Sequence, residues 1–184
     1  MFEVGKYEHG PATLADYDSR APKVAQLLID AIQQRDPRIV VDHVGSTAVP
    51  GCRGKGVIDL AVTYNAGDLE DAKAEVDALG FQKQSGRDPW PEARPMRVAS
   101  AIALGGSFQV HAHVIERDGT EHRELIGFRD ALRRDTHLLI AYEKTKEEIL
   151  ARGIIDSLDY SHAKNSFITM TLVGAGLRAA SPLE

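Results

Sequence analysis

The sequence predicts an α+β fold in which a mixed β-sheet with flanking helices is followed by a C-terminal helical subdomain. Runs of alternating or β-branched residues predict strands in the first two thirds of the chain, with helical periodicity between them. After Asp118-Gly119 every apolar pattern is helical. We therefore predict an α/β core over residues 1–118 and a helical subdomain over residues 119–180, packed into one globular unit of a size that a chain of 184 residues can build.

The order of elements follows from local patterns. Helical spacing of apolar residues, with stop signals after them, predicts helices over 21–34 and 69–79. Strand patterns cover 39–44, 57–64, 98–104 and 108–116, and Gly105-Gly106-Ser107 predicts a hairpin between the last two. Residues 11–19 read as irregular chain or a short strand, and the C-terminal helices are predicted over 121–134, 136–152 and 157–177.

Composition limits the class of protein. A hydrophobic content of 43% and a charged content of 27% are ordinary for a soluble globular chain, and a net charge of −5 gives no general attraction to nucleic acid or anionic membranes. Cys52 is the only cysteine, so it can form no intramolecular disulfide, which fits a reducing cytoplasm. Neither a spanning apolar run nor a signal peptide is evident, so we expect a cytoplasmic protein; the oligomeric state is not predicted.

The stretch from Val40 to Val62 has the residue types of a phosphate-binding site. A predicted strand ends in Gly45-Ser46-Thr47, where a glycine lets backbone amides approach phosphate oxygens and the hydroxyls can donate to them. Lys55 lies in the following loop and would supply a positive charge. The alternative is a strand-end turn without a ligand, next to a solvated lysine. We predict phosphate binding by Gly45, Ser46, Thr47 and Lys55.

Strand alternation predicts which side chains share a face. Asp59 points away from the face of its apolar neighbours Ile58 and Leu60, and His111 and His113 point away from the apolar face of the later strand. If these second faces coincide, the acid and the two histidines converge on one cleft. An unpaired carboxylate is costly to bury, so Asp59 should hold a metal ion or substrate, or form a structural ion pair.

A second acid is missing from this predicted site. Nucleotide chemistry with Mg²⁺ usually draws on one or two carboxylates, yet the position two residues after Asp59 is Ala61. One carboxylate with His111 and His113 suits Zn²⁺, Mn²⁺, Fe²⁺ or Ni²⁺ better than Mg²⁺. We predict these three residues as catalytic and metal-ligating, with Mg²⁺ or Mn²⁺ as the ion and Zn²⁺ as the alternative. The histidines could equally act as acid–base groups or hydrogen-bond on the sheet.

The chain resembles the GrpB family of the nucleotidyltransferase superfamily. The resemblance rests on "DHVGSTAVPG" at 42–51, Lys55, "VIDLAV" at 57–62, "HAHV" at 111–114 and "FRDALR" at 128–133, with "YDSR" at 17–20 and Tyr160, Lys164, Phe167 and Ile168. It implies a nucleotidyltransferase-like fold. Some family members resemble an appendage of the kinase that phosphorylates dephospho-coenzyme A, which implies a link to coenzyme A metabolism.

Lys164 also belongs to the resemblance, and from a helix it could reach a phosphate; a salt bridge is the alternative for Lys164 and Arg129. The leading hypothesis is a protein that binds a nucleotide or phosphorylated small molecule and, if catalytic, transfers a nucleotidyl or phosphoryl-type group. Ala61 favours a catalytically inactive binding module instead, and the Asp59–His111–His113 set allows a transition-metal hydrolase. Trp90, between two prolines, is a loop anchor or a lid that stacks on a base, and Cys52 has no evident base.

Overall fold

The computed structural model describes residues 2–179, which form one sheet with helices on both of its faces. The strands are β1 (Glu3–Gly5), β2 (Val40–Val44), β3 (Ile58–Tyr64), β4 (Gln82–Lys83), β5 (Met96–Ala103) and β6 (Gly106–Glu116). The helices are α1 (Ala21–Arg35), α2 (Leu69–Ala78), α3 (Thr120–Arg134), α4 (Thr136–Ala151), α5 (Ser157–Ala163) and α6 (Asn165–Gly174).

The sheet is mixed, as the sequence predicts. Its strand order is β1-β5-β6-β3-β2, and β4 pairs with β5 beyond the end of β1. β3 and β6 run parallel, while β2 with β3, β5 with β6, and both short strands with β5 run antiparallel. The parallel pair requires a long crossover, which α2, β4 and β5 supply. The α+β fold class is therefore confirmed.

The main core lies between one face of the sheet and helices α1 and α2. The alternation of β3 and β6 gives this face its apolar residues, and α1 adds a stripe at helical spacing. Its central members are Ile58, Leu60, Val62, Val110, Ala112 and Val114 from the sheet and Val24, Leu28 and Ile32 from α1. All nine are fully buried, so the predicted apolar face is confirmed.

The second face of the sheet is covered by C-terminal helices over only part of its area. Leu125 and Ile126 of α3 pack on Val44, Ala61 and Ile115. Tyr142 of α4 and Leu132 of α3 form a separate cluster with Val49 and Cys52 of the loop after β2. The remainder of this face is the open region that carries the candidate site. A domain boundary at residue 118 stays a prediction.

Local structure differs from the sequence-based expectation at three places. The predicted helix over 157–177 is two helices, because the Lys164 amide donates to the His162 carbonyl and interrupts the helical ladder. The hairpin turn is Leu104-Gly105, with φ of 50° and 72°, while Gly106 and Ser107 belong to β6. β1 and β4 were not predicted, since strands of three and two residues are too short to show alternation.

Among residues 2–179, none of the helices combines the length and the apolar composition that crossing a bilayer would need.

Candidate functional site

The turn after β2 brings backbone against the carboxylate of Asp59. Val44, the last residue of β2, pairs directly with Asp59 on β3. Gly45 follows with φ of 70°, and a Cβ on Gly45 would lie 2.9 Å from the Asp59 Cγ and closer still to Oδ2. A side chain at this position would meet both a disfavoured backbone conformation and the carboxylate. Glycine is thus required for Asp59 to sit against the turn.

Asp59, His111 and His113 meet on the second face of the sheet. The parallel register places His111 beside Asp59 and His113 beside Ala61. His111 Nδ1 lies 3.3 Å from Asp59 Oδ1, and His113 Nε2 lies 3.8 Å from the same oxygen. Strand alternation predicted that these three side chains would meet only if their strands lay side by side. The parallel pairing of β3 with β6 meets that condition.

Tyr7 extends this cluster beyond the sheet. Its hydroxyl lies 2.9 Å from His111 Nε2, so the imidazole bridges a phenol and a carboxylate. Backbone amides of the N-terminal segment fix it here, since Tyr7 N–H donates to Gln82 and Glu8 N–H donates to Gln109. Burial, followed by the nearby Asp59 charge, raises the pKa of the Tyr7 hydroxyl. The chain Tyr7–His111–Asp59 can hold a proton and move it between its members.

The Asp59 carboxyl group is kept ionised by its neighbours. Burial alone would raise its pKa, but the neighbouring His111 and His113 rings outweigh burial and hold the pKa below its usual range. Asp59 is therefore an anion at neutral pH. Within the described part of the chain, His113 Nδ1 is buried and has no hydrogen-bond partner.

Lysines 55, 146 and 164 surround a small cavity beside Asp59. The cavity has a volume of about 100 Å³, and Ser46, Gly54 and Tyr160 are among its other lining residues. Lysines 73, 83 and 144 each have a carboxylate oxygen within 4.0 Å. Among residues 2–179, lysines 55, 146 and 164 have none. Their ammonium groups meet neutral groups instead: Ser157 Oγ, the Arg53 carbonyl and the Tyr160 ring.

Burial lowers the pKa of each of these lysines. For Lys164 the pKa falls to about 8, because burial and the charges of Lys55 and Lys146 outweigh the attraction of Asp59. The pKa of Lys55 and that of Lys146 are also lowered, first by burial. Lys146 is only 1% exposed. These three lysines outnumber Asp59, the acid among the residues that line the small cavity, so the cavity is positive and would stabilise an anion.

A larger cavity of about 670 Å³ opens next to the small one. The two cavities share Lys55, Asp59, His111 and Ser161 in their walls, so they form one continuous cleft. The far wall of the larger cavity is the loop from Gln84 to Pro91, and its floor includes His113 and Tyr7. The cleft therefore joins a basic end to a roomier end with aromatic and polar walls.

The predicted phosphate-binding residues do not all face this cleft. Ser46, Lys55 and Lys164 line it, and Gly45 lies behind Asp59. The Thr47 hydroxyl instead donates to the Val57 carbonyl at 3.0 Å and lies 3.0 Å from His43 Nε2. Thr47 is 6% exposed, so it stabilises the turn from inside. Burial lowers the pKa of His43 to about 4, which keeps this partner neutral.

Lys146 and Tyr7 are among the cleft residues that were not predicted from the sequence. Lys146 lies on the buried side of α4 with Tyr142 and Ile149. Its spacing of four and three residues from them was a usable signal, because a lysine on the apolar stripe of a helix needs a reason to be there. Tyr7 carried no such signal, since its position depends on an N-terminal segment that follows no periodic pattern.

An acid does lie beside Ala61, on the neighbouring strand β2, but it is engaged elsewhere. Asp42 of β2 pairs with Ala61 and shares its face of the sheet. However, Asp42 lies 3.2 Å from His122 Nε2 and 3.8 Å from the Arg129 guanidinium, both on α3, and it lines neither cavity. Arg129 also pairs with Asp130 at 2.7 Å, as one alternative predicted. The acid beside Ala61 therefore helps to anchor a helix.

The donor set for a metal is small. Within residues 2–179, no three or more histidine, cysteine, aspartate or glutamate side chains are arranged to hold an ion. Asp59, His111 and His113 are close enough to interact, but both rings engage the single carboxylate oxygen Oδ1. Metal ligation by these three residues stays a prediction.

Comparison with known proteins gives the family and the fold. The GrpB protein family matches residues 11–173. A UPF0157 protein of Streptomyces coelicolor is 30% identical over 167 residues, which cover 89% of this chain and 83% of that protein. The crystal structure of conserved protein GrpB from Enterococcus faecalis has a TM-score of 0.66 at 22% identity and covers 89% of this chain and 96% of its own.

The fold extends to larger proteins. Terminal uridylyl transferase 4 from Trypanosoma brucei, solved with bound dUTP, has a TM-score of 0.54 at 15% identity, over 92% of this chain and 63% of that one. At such identity the likeness shows a shared nucleotidyltransferase-type fold and nothing finer. Together with the family match and the Gly45-Ser46 turn facing Asp59, these comparisons establish that the chain belongs to the GrpB family.

Proposed function

We propose that the cleft binds the phosphate groups of a nucleotide or another phosphorylated small molecule. The observation that carries this proposal is the absence, among residues 2–179, of any carboxylate within 4.0 Å of Lys55, Lys146 or Lys164. Burying a charged group without a partner is costly, and ionisable groups with perturbed pKa values cluster at binding and catalytic sites. An anion in the small cavity would supply that pairing.

The walls of the small cavity suit phosphate oxygens. Lysine ammonium groups bind phosphate as point charges, and the Ser46 hydroxyl can add a hydrogen bond. Within the described part of the chain, the Tyr160 hydroxyl has no hydrogen-bond partner although the residue is 1% exposed. A phosphate oxygen would satisfy this buried donor, which is otherwise unusual.

The same cleft offers groups for transfer of a nucleotidyl group. An acceptor hydroxyl would lose its proton to His111, whose orientation Asp59 sets, and its oxygen would bond to the α-phosphorus as pyrophosphate leaves. Mg²⁺ or Mn²⁺ arriving with the phosphates would find its one carboxylate ligand in Asp59 and would neutralise developing charge. The fold supports this class of chemistry, since the uridylyl transferase with bound dUTP shares it.

A second candidate function is binding without transfer. Ala61 favours it, because the only acid beside that position, Asp42, is held by His122 and Arg129. Pyrophosphate release from ATP, CTP, GTP or UTP with Mg²⁺ or Mn²⁺ separates the two candidates when a panel of hydroxyl acceptors, including coenzyme A precursors, is supplied. Release that is lost in His111→Gln supports transfer. Binding without release supports the binding module.

Replacing Lys164 by methionine should weaken binding of tripolyphosphate about tenfold or more, because one charged contact to phosphate is lost. Isothermal titration calorimetry at pH 7 measures this change. For the unsubstituted protein, affinity should also fall as the pH rises through about 8, since Lys164 then loses its proton. A bound anion will move this decline to somewhat higher pH.

The matched control is Lys144→Met. Lys144 lies on α4, has a side chain that is 74% exposed and pairs with Glu148 at 3.8 Å, so its removal should leave the affinity unchanged. Equal losses in both variants would point to a general charge effect. Failure of tripolyphosphate and of all four nucleotides to bind would contradict the proposed function.

A further inference from the structure

We propose that the larger cavity receives the base of a nucleotide, stacked on the free face of Trp90. This inference rests on the proposed function and narrows it, since it selects nucleotides among phosphorylated small molecules. The phosphate chain would lie among the lysines of the small cavity, and the base would lie under the loop that forms the far wall.

Trp90 has one covered face and one open face. The Arg94 guanidinium lies 3.3 Å from the centroid of the indole ring. Trp90 is among the residues that line the larger cavity, whereas Arg94 is not, so the guanidinium covers the face turned away from the cavity. Trp90 as a residue remains 42% exposed. The face toward the cavity is therefore available to a planar ring.

The guanidinium behind Trp90 is itself held in place. Glu121, at the start of α3, pairs with Arg94, and burial lowers the pKa of Arg94 to about 10 without removing its charge at neutral pH. A planar cation stacked on an indole is an attractive contact that fixes the ring orientation. The platform is thus prepared before any ligand binds.

The loop that carries Trp90 is tied at both sides of the cavity. The Trp90 amide donates to the Gln84 side chain at 3.0 Å, which closes the loop on itself. Arg87 reaches across to α5, where it pairs with Asp156 at 2.9 Å and Asp159 at 2.7 Å. Asp156 also caps the N-terminus of α5. The first residue of this helix, Ser157, accepts a hydrogen bond from Lys55. The loop is thereby linked to the basic pocket.

The dimensions and connection of the cavities suit a nucleotide. A volume of about 670 Å³ is within the range of small-molecule sites. The shared wall residues Lys55, Asp59 and His111 allow one ligand to occupy both cavities. Stacking on an aromatic side chain tolerates any base, because every base has a π-face. We therefore infer nucleoside triphosphates as a class and expect little discrimination among bases from Trp90.

If the Trp90–Arg94 pair served only to anchor the loop, the indole ring would be expected to be more fully covered. A loop anchor is stabilised by covering as much of the indole as possible, yet Trp90 stays largely exposed and lines the cavity. Within residues 2–179, the Arg94 guanidinium is the one group that stacks on the indole ring. This arrangement favours a platform over an anchor.

The single tryptophan of the chain makes the test direct. Intrinsic fluorescence is followed while ATP, UTP or tripolyphosphate is added, and affinities for the same compounds are measured by calorimetry. ATP and UTP should change the emission of Trp90, and tripolyphosphate should bind with much less change. Trp90→Ala should weaken binding of ATP and UTP on the order of tenfold and leave tripolyphosphate binding unchanged.

Ile140→Ala serves as the control, because Ile140 is an exposed apolar residue of α4 that lines neither cavity. If Trp90→Ala binds nucleotides as tightly as the native protein does, and tripolyphosphate binding is also unchanged, the stacking inference is wrong while the phosphate site stands. If no compound binds, the proposed function fails and the inference fails with it.

Discussion

Gly45→Ala is expected to destabilise the fold by about 3 kcal/mol, one of the two largest effects of a single substitution at this site. About 1 kcal/mol comes from placing a Cβ on a residue with positive φ, which for Gly45 is 70°. The rest comes from the Asp59 carboxylate, which must move away from the new Cβ and thereby loses its contact with His111. Urea denaturation measures the change in the free energy of unfolding.

Gly51→Ala separates the two causes. Gly51 has φ of 79°, and nothing lies within 4 Å of a Cβ built on it. It should therefore cost about 1 kcal/mol, the conformational part alone. If both substitutions cost the same, the close approach of Gly45 to Asp59 contributes nothing and our account of the turn is wrong.

Asp59→Asn should destabilise the protein by about 2 kcal/mol at pH 7, because two imidazoles and the nearby lysines lose their one carboxylate. Asparagine keeps the shape of the side chain and removes its charge. The 26% exposure of Asp59 reduces the cost below that of a fully enclosed pair. Chemical denaturation of both proteins between pH 2.5 and pH 8 measures the difference.

The pH dependence has a definite sign. The pKa of Asp59 is lower in the folded protein than in the unfolded chain, where it is about 3.9. Its contribution to stability is therefore complete above about pH 4 and is lost as the pH falls below that value. Native protein and variant should differ most near neutral pH and approach each other in acid.

Asp159→Asn is the control for this comparison. Asp159 pairs with Arg87 at the surface, with 52% and 62% of the two side chains exposed, so its loss should cost well under about 1 kcal/mol. A stability of Asp59→Asn equal to that of the native protein at pH 7 would contradict the ion-pair description of the site.

Much of the fold and part of the site follow from periodicity. Alternation alone assigns Ile58 and Leu60 to the core and Asp59 to the opposite face, and the same rule applies to His111 and His113. Alternation does not predict the order of the strands in the sheet. Only the parallel pairing of β3 with β6 places Asp59 beside His111.

Other features depend on tertiary contacts that no local pattern encodes. Tyr7 reaches His111 through hydrogen bonds between an irregular segment and distant side chains. Thr47 points away from the cleft because its hydroxyl donates to the carbonyl of Val57, ten residues later. The orientation of Trp90 is set by Arg94 and, through it, by α3. Sequence reasoning named the residue types of the cleft more reliably than their partners.

The parallel pairing of β3 and β6 has a consequence for the order of folding. Asp59 and His111 are brought together although they lie 52 positions apart in the chain, and contacts of such high sequence separation form slowly because a long loop must close first. A partly folded chain could contain the α1 packing and the β5–β6 hairpin and still lack the cleft. A ligand of the cleft would then bind only molecules that have completed the sheet, and it would shift the folding equilibrium toward them.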